Sequence, residues 1–184
     1  MRRYKIAAVT VLLAHCAAVS MGGLAGPASA EDIVPPFAPL VAGPSIPVTL
    51  PLAGSVIDIL VQSSLTAGEF SVVLIKDQPG GGPRVMIHTR ETETFYVLEG
   101  NYEFQIGDKT YPAGPGQIVV NPIGVAHGFK VVGDKPGTLL ATYTPGGFEN
   151  FFLTWGRNGL DTPDKIGALE KDYGIVGSGV GAPQ

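Results

Sequence analysis

Residues 81–100 read GGPRVMIHTRETETFYVLEG, and fifteen residues later residues 116–127 read GQIVVNPIGVAH. Met86 and His88 are two positions apart, so a strand puts them on one face. Glu93 lies five beyond His88, an odd step that would leave that face on one straight strand. Thr89, Arg90, Glu91 and Thr92 are polar and can turn or bulge the chain, which brings Glu93 back beside His88 from a second strand. His127 comes after the turn signal Asn121-Pro122-Ile123-Gly124. Beyond the first thirty residues, His88 and His127 are the only histidines. Singly, each reads as an ordinary core or loop residue. Together with Glu93 they form two imidazoles and a carboxylate, a set that holds non-haem Fe(II) with open positions and also suits Zn or Mn.

Around this stretch the pattern is one of short strands. Val56 to Val61 and Phe70 to Lys76 are β-branched runs of strand length. Further strands are expected at 84–88, 93–99, 101–106, 117–121, 127–132 and 138–144. Gly80-Gly81-Gly82-Pro83, Gly100-Asn101, Gly107-Asp108, Pro112 to Gly116 and Gly133-Asp134 separate them. Many short strands with no helix between them exclude a parallel α/β sheet and predict an antiparallel barrel or sandwich. After it, Phe148, Phe151, Phe152 and Trp155 fall at helical spacing and predict a helix packed across the barrel mouth or against another subunit, with Glu149 and Asn150 on its other side. Thr162 and Pro163 suit the start of a second helix, Ile166, Leu169 and Tyr173 its apolar stripe, and Gly174 its stop.

The N-terminal stretch reads differently. Arg2, Arg3 and Lys5 precede an apolar run, and Ala28-Ser29-Ala30 precedes Glu31-Asp32, the arrangement of a secretory signal peptide cleaved near Ala30. His15, Gly22, Gly23 and Pro27 interrupt the run before it reaches membrane-spanning length. Export and cleavage would leave 154 of the 184 residues, enough for one domain with a core, in a secreted or periplasmic location. The three cations lost with the leader would take the net charge from −4 to −7, which argues against nucleic acid or an anionic membrane surface as partner. Cys16, the sole cysteine, would also leave, so no disulfide is expected. Residues 31–55 carry six prolines and read as an extended arm or as a disordered leader. The expected organisation is therefore residues 1–30 signal peptide, 31–55 arm, 56–146 barrel, and 147–184 helical segment and tail.

The two stretches quoted first resemble the paired signature motifs of the cupin family. His88, Glu93 and Gly100 take the second His, the Glu and the closing Gly of the first motif, G-x5-H-x-H-x(3,4)-E-x6-G. Met86 stands at the first His. Gly116, Pro122, Gly124 and His127 match the second motif, G-x5-P-x-G-x2-H-x3-N, with Val131 at its final Asn. The resemblance runs from about Val56 to Gly174 and is nearest the cupins grouped with quercetin 2,3-dioxygenases. It implies an all-β antiparallel jelly-roll barrel, here with two short C-terminal helices.

The resemblance also implies one divalent transition metal (Fe, Mn, Ni, Cu or Zn) on His88, Glu93 and His127. Met86 is either a weak thioether neighbour of that metal or the mark of a site that has lost affinity. Glu93 would also accept a substrate proton. Arg84, sharing the Met86 face, is a candidate to orient an anionic oxygen, with a solvated rim charge as the alternative. Phe95 and Phe129 share the faces of Glu93 and His127 and are candidates to line the substrate site. Arg90, Glu91 and Glu99 are expected at the surface, and Tyr96 turned away from the site. The expected ligand is a small molecule, and the resemblance suggests a homodimer. Three readings stay open: an oxygenase for a phenolic or enolic compound, a non-catalytic metal or small-molecule binding protein of the cell envelope, and a metal-dependent isomerase. Function belongs to the site and not to the fold, so the motifs by themselves do not decide among them.

Overall fold

The computed structural model describes residues 35–50 and 55–177. The expected signal peptide, residues 51–54 and the last seven residues of the expected tail lie outside the described residues. Eleven strands and two helices are described, in the order β1 (Ile46–Leu50), β2 (Ser55–Val61), β3 (Ser71–Asp77), β4 (Ile87–His88), β5 (Thr92–Glu99), β6 (Asn101–Ile106), β7 (Lys109–Ala113), β8 (Ile118–Asn121), β9 (His127–Val132), β10 (Gly137–Thr144), α1 (Glu149–Asn158), α2 (Pro163–Asp172) and β11 (Ile175–Val176).

One sheet has six strands in the order β1-β2-β3-β10-β5-β8, and every pairing in it is antiparallel. The other side is built from β7-β6-β9 and the short pair β11-β4. The segment before β4 links these two. Gly80 donates to Val131 O at 3.0 Å, Val131 to Gly81 O at 2.9 Å, and Met86 and His127 exchange two backbone bonds of 2.8 Å. The alternation expected of half-buried strands is present. On β3, Ser71, Val73, Ile75 and Asp77 point inward, and on β10 Leu139, Ala141 and Tyr143 do. These inward side chains form the core between the sheets, with Phe95, Phe104 and Phe129 mutually packed at centroid distances of 5.1–5.5 Å. The result is the antiparallel jelly roll with two C-terminal helices.

Three strands escaped the sequence reading, and all are short or at an edge. β1 lies inside the proline-rich arm, and β7 runs into the Pro112 turn signal. Pro47 and Pro112 are tolerated because β1 and β7 are edge strands, where a missing N–H breaks no ladder on the outer side. β11 is two residues long. In the other direction, the strand expected at 84–88 is regular only at Ile87–His88.

Both helices form where expected. Phe148, Phe151, Phe152 and Trp155 are all buried, and Trp155 donates to Leu160 O at 2.8 Å. Glu149, expected on the outer side of α1, is buried instead. It accepts the backbone N–H groups of Ser63 (2.8 Å) and Gly147 (2.9 Å), which tie the start of the helix to the loop after β2. Burial raises its pKa, but the hydroxyl and then the backbone N–H of Ser63, with the Ser71 hydroxyl, outweigh it and hold the carboxyl below the usual range. Thr162 stands at the N-cap of α2 but makes no side-chain cap bond, and Gly174 follows the helix with φ +75°.

Candidate metal centre

His88 ends β4, the chain bends through Thr89 and Arg90, and β5 begins at Thr92, so Glu93 returns beside His88 as the polar stretch suggested. His127 opens β9. It is set there by the 122–125 turn, in which Gly124 takes φ +79° and donates to His88 O at 2.8 Å. His88, Glu93 and His127 are 1–3% exposed, and one potential ligand atom from each lies within 4.8 Å of the others. His127 Nε2 is 3.0 Å and His88 Nε2 3.8 Å from Glu93 Oε2. The two imidazoles stack at 5.3 Å, and Phe148 meets His88 edge-on at 4.4 Å.

The outer ring nitrogens decide what the inner ones can do. His127 Nδ1 lies 2.8 Å from Val125 O, a carbonyl that only accepts, so Nδ1 carries a proton. His88 Nδ1 is hydrogen-bonded to Glu91 Oε1. When neutral, both rings therefore turn an Nε2 lone pair toward the carboxylate of Glu93. Lone pairs facing a carboxylate repel unless a proton or a cation lies between them. His88 Nε2 is buried with no hydrogen-bond partner, as are both amide atoms of Asn121, the register partner of Glu93 on β8. Two imidazole nitrogens and a carboxylate oxygen, oriented by outer partners, are a donor set that fits a divalent transition metal.

Without a metal the cluster acts as an ion pair. Burial raises the Glu93 pKa, but the hydrogen bond from His127, the charges of His88 and His127 and the hydroxyl of Tyr143 outweigh it and hold the carboxyl low. Burial lowers the His127 pKa, and its bond to Glu93 overcomes that and raises it. Tyr143, 1% exposed, is held well above its ordinary range by burial and by Glu93, so it stays a neutral donor.

Beside the cluster lies a cavity of about 540 Å³, its open mouth included, walled by Met86, Glu93, Phe129, Tyr143, Phe148 and Phe152 among others. Met86 is nearly buried and lines it. Of the residues expected to line a substrate site, Phe129 does so. Phe95 does not: it packs behind Phe129 against Phe104, 1% exposed. Arg84 is exposed and off the cavity wall, because the chain before Ile87 is not a regular strand and the two-residue alternation does not carry back to it. Glu91, expected at the surface, is 5% exposed and orients His88. Arg90, Glu99 and Tyr96 are exposed as expected. The sequence reading also missed Tyr143 and Asn121. Tyr143 sits two and four residues after Ala141 and Leu139 on one alternating face, a signal that places it inward but not beside Glu93.

The cupin domain family model matches residues 73–143. Over 94 residues the chain is 31% identical to quercetin 2,3-dioxygenase of Bacillus subtilis (strain 168), a span of 50% of this chain and 27% of that protein, so little more than a quarter of the relative is represented. Among solved structures, an RmlC-like cupin from Shewanella frigidimarina NCIMB 400 superposes with TM-score 0.50 and 22% identity, covering 58% of this chain and 88% of that one. KdgF from Halomonas sp. gives TM-score 0.48 and 18% identity over 53% and 84%. The antiparallel jelly roll, the paired motifs and the family match agree on a cupin domain over residues 73–143.

Proposed function

We propose that this protein is an exported, metal-dependent oxygenase acting on a small phenolic or enolic compound. One observation carries the reading: two inward-facing Nε2 atoms and the Glu93 carboxylate converge at the wall of an aromatic-lined cavity. His88, Glu93 and His127 would hold the metal, and Glu91 and Val125 O fix the tautomers that let them. A bound divalent metal would supply Lewis acidity toward an enol or phenol oxygen and leave positions open for small molecules. Glu93 is the one carboxylate in the cluster, and with Tyr143 as donor it can hold or pass a substrate proton. Phe129, Phe148 and Phe152 would exclude water and stack on a flat ring. The name of the Bacillus relative, a dioxygenase of a polyphenol, supports this substrate class. The cationic, apolar and small-residue order of residues 1–30 supports action outside the cytoplasm.

Met86 favours a second reading. Where the cupin motif has a histidine this chain puts a thioether, and a site with three donors could bind a metal or ligand without turning it over. Metal analysis and oxygen uptake on quercetin separate the two. Bound metal with uptake that is lost in Glu93→Gln supports the oxygenase, and metal without uptake supports the binding protein. Protein that neither retains nor takes up a transition metal, with His127→Ala no different from wild type, would overturn both.

A further inference from the structure

The cavity has a second polar end that the metal cluster does not use. Asp77 is 1% exposed, lies on the inward face of β3 and lines the cavity. Its Oδ1 accepts the Ser55 hydroxyl, and its Oδ2 has no hydrogen-bond partner. The Tyr102 hydroxyl is also buried and unpartnered. It lies against Gly137, where an added Cβ would fall 2.3 Å from it, and Gly137 is the register partner of Asp77. An unpartnered acceptor and an unpartnered donor thus occupy one region of the interior. Burial raises the Asp77 pKa to about 6, and the nearby carboxylate adds to the burial that raises Tyr102.

This region is distant from the metal cluster. Tyr143 is the register partner of Glu93, and along β10 it lies six residues from Gly137, roughly 20 Å of strand. Six is even, so both ends face the same interior. The residues between, Ile57, Ile75 and Phe129 among them, are apolar.

The geometry points to a binding site for a ligand hydroxyl at Asp77, with Ser55 in support, so that the cavity takes an elongated polyphenol held at both ends. A hydroxyl is the matching group because it donates to the unpartnered oxygen of Asp77 without carrying a charge past the apolar wall. A single small ring would reach one end only. The assignment rests on the proposed reading of the metal centre, which would take the chelating oxygen at the other end.

The test compares two 3-hydroxyflavones that share the chelating oxygens, one lengthened at its outer ring by a 4-hydroxyphenyl group and the other by a plain phenyl group. Dissociation constants are measured anaerobically on metal-loaded full-length protein, wild type and Asp77→Leu. Wild type is expected to bind the compound with the terminal hydroxyl about tenfold more tightly, the 1.4 kcal/mol of a modest charge-assisted hydrogen bond. Asp77→Leu is expected to remove that preference and leave binding of the plain phenyl compound and metal content unchanged. Ser55→Ala should reduce it in part, and Asp77→Asn, which keeps the size but not the charge, carries the test if Asp77→Leu does not fold. Equal binding of both compounds by wild type, or an equal loss for both in Asp77→Leu, would overturn the anchor and leave the metal-centre reading standing. Binding of neither compound by metal-loaded wild type would overturn both.

Discussion

Glu91 shows how much one buried side chain can hold in place. It shares the polar stretch Thr89 to Thr92 with residues that do face solvent, yet it folds under to grip His88 Nδ1. A carboxylate there selects the tautomer and aims Nε2 inward. Glu91→Gln keeps the size but weakens the acceptor, and outer partners of this kind are worth about 10- to 100-fold in metal affinity. The expected result is a loss of that order by competition with a chelator, with little change in the melting temperature of the metal-free protein. An unchanged affinity would mean that Glu91 does not set the ring. The sequence carried no signal for Glu91. Its odd spacing from His88 and polar neighbours read as surface, and only the bend at 89–90 turns it inward.

Between residue and fold stands the segment 80–86, which joins β4 to the β6-β9 sheet. It holds Met86 against His127 and so sets the spacing of two motif positions. Its approach to β9 is too close for any side chain at Gly82. The backbone has φ +137°, and an added Cβ would fall 2.1 Å from Phe129 O. Gly82→Ala therefore strains a backbone conformation and displaces β9 together. We expect a loss of about 3 kcal/mol or more in urea unfolding, and lower metal content in whatever folds. An unchanged unfolding midpoint would show that the segment does not bear on β9 as described. The glycines were legible as turn punctuation, but their closeness to Phe129 was not. A regular strand was expected from residue 84, and that expectation misplaced Arg84 on the cavity wall.

At the scale of the whole molecule, Asp77 makes stability depend on pH. Its pKa is about 6 in the fold against an ordinary 3.8, so the fold disfavours the ionised form. Above pH 6 the folded protein bears the full cost, on the order of 3 kcal/mol. As pH falls from 6 toward 3.8 the folded state takes up the proton first and the cost disappears. Asp77→Asn should therefore melt higher than wild type at pH 8, and the gap should fall to about a third by pH 4.5 and close below pH 3.8. A gap that does not change with pH would show that the buried carboxylate carries no such cost.

The sequence by itself determined an antiparallel barrel or sandwich of short strands, which the motif resemblance narrowed to a jelly roll, the two C-terminal helices, and His88, Glu93 and His127 as one cluster. Alternation, turn residues and motif spacing are local properties that survive in a linear text. Tertiary structure alone decided that Glu91, Tyr143 and Asn121 surround that cluster, that Arg84 and Phe95 do not line the cavity, and that Asp77 faces into it. Those facts depend on which strands lie side by side, and strand partners are chosen by packing between residues far apart in the chain.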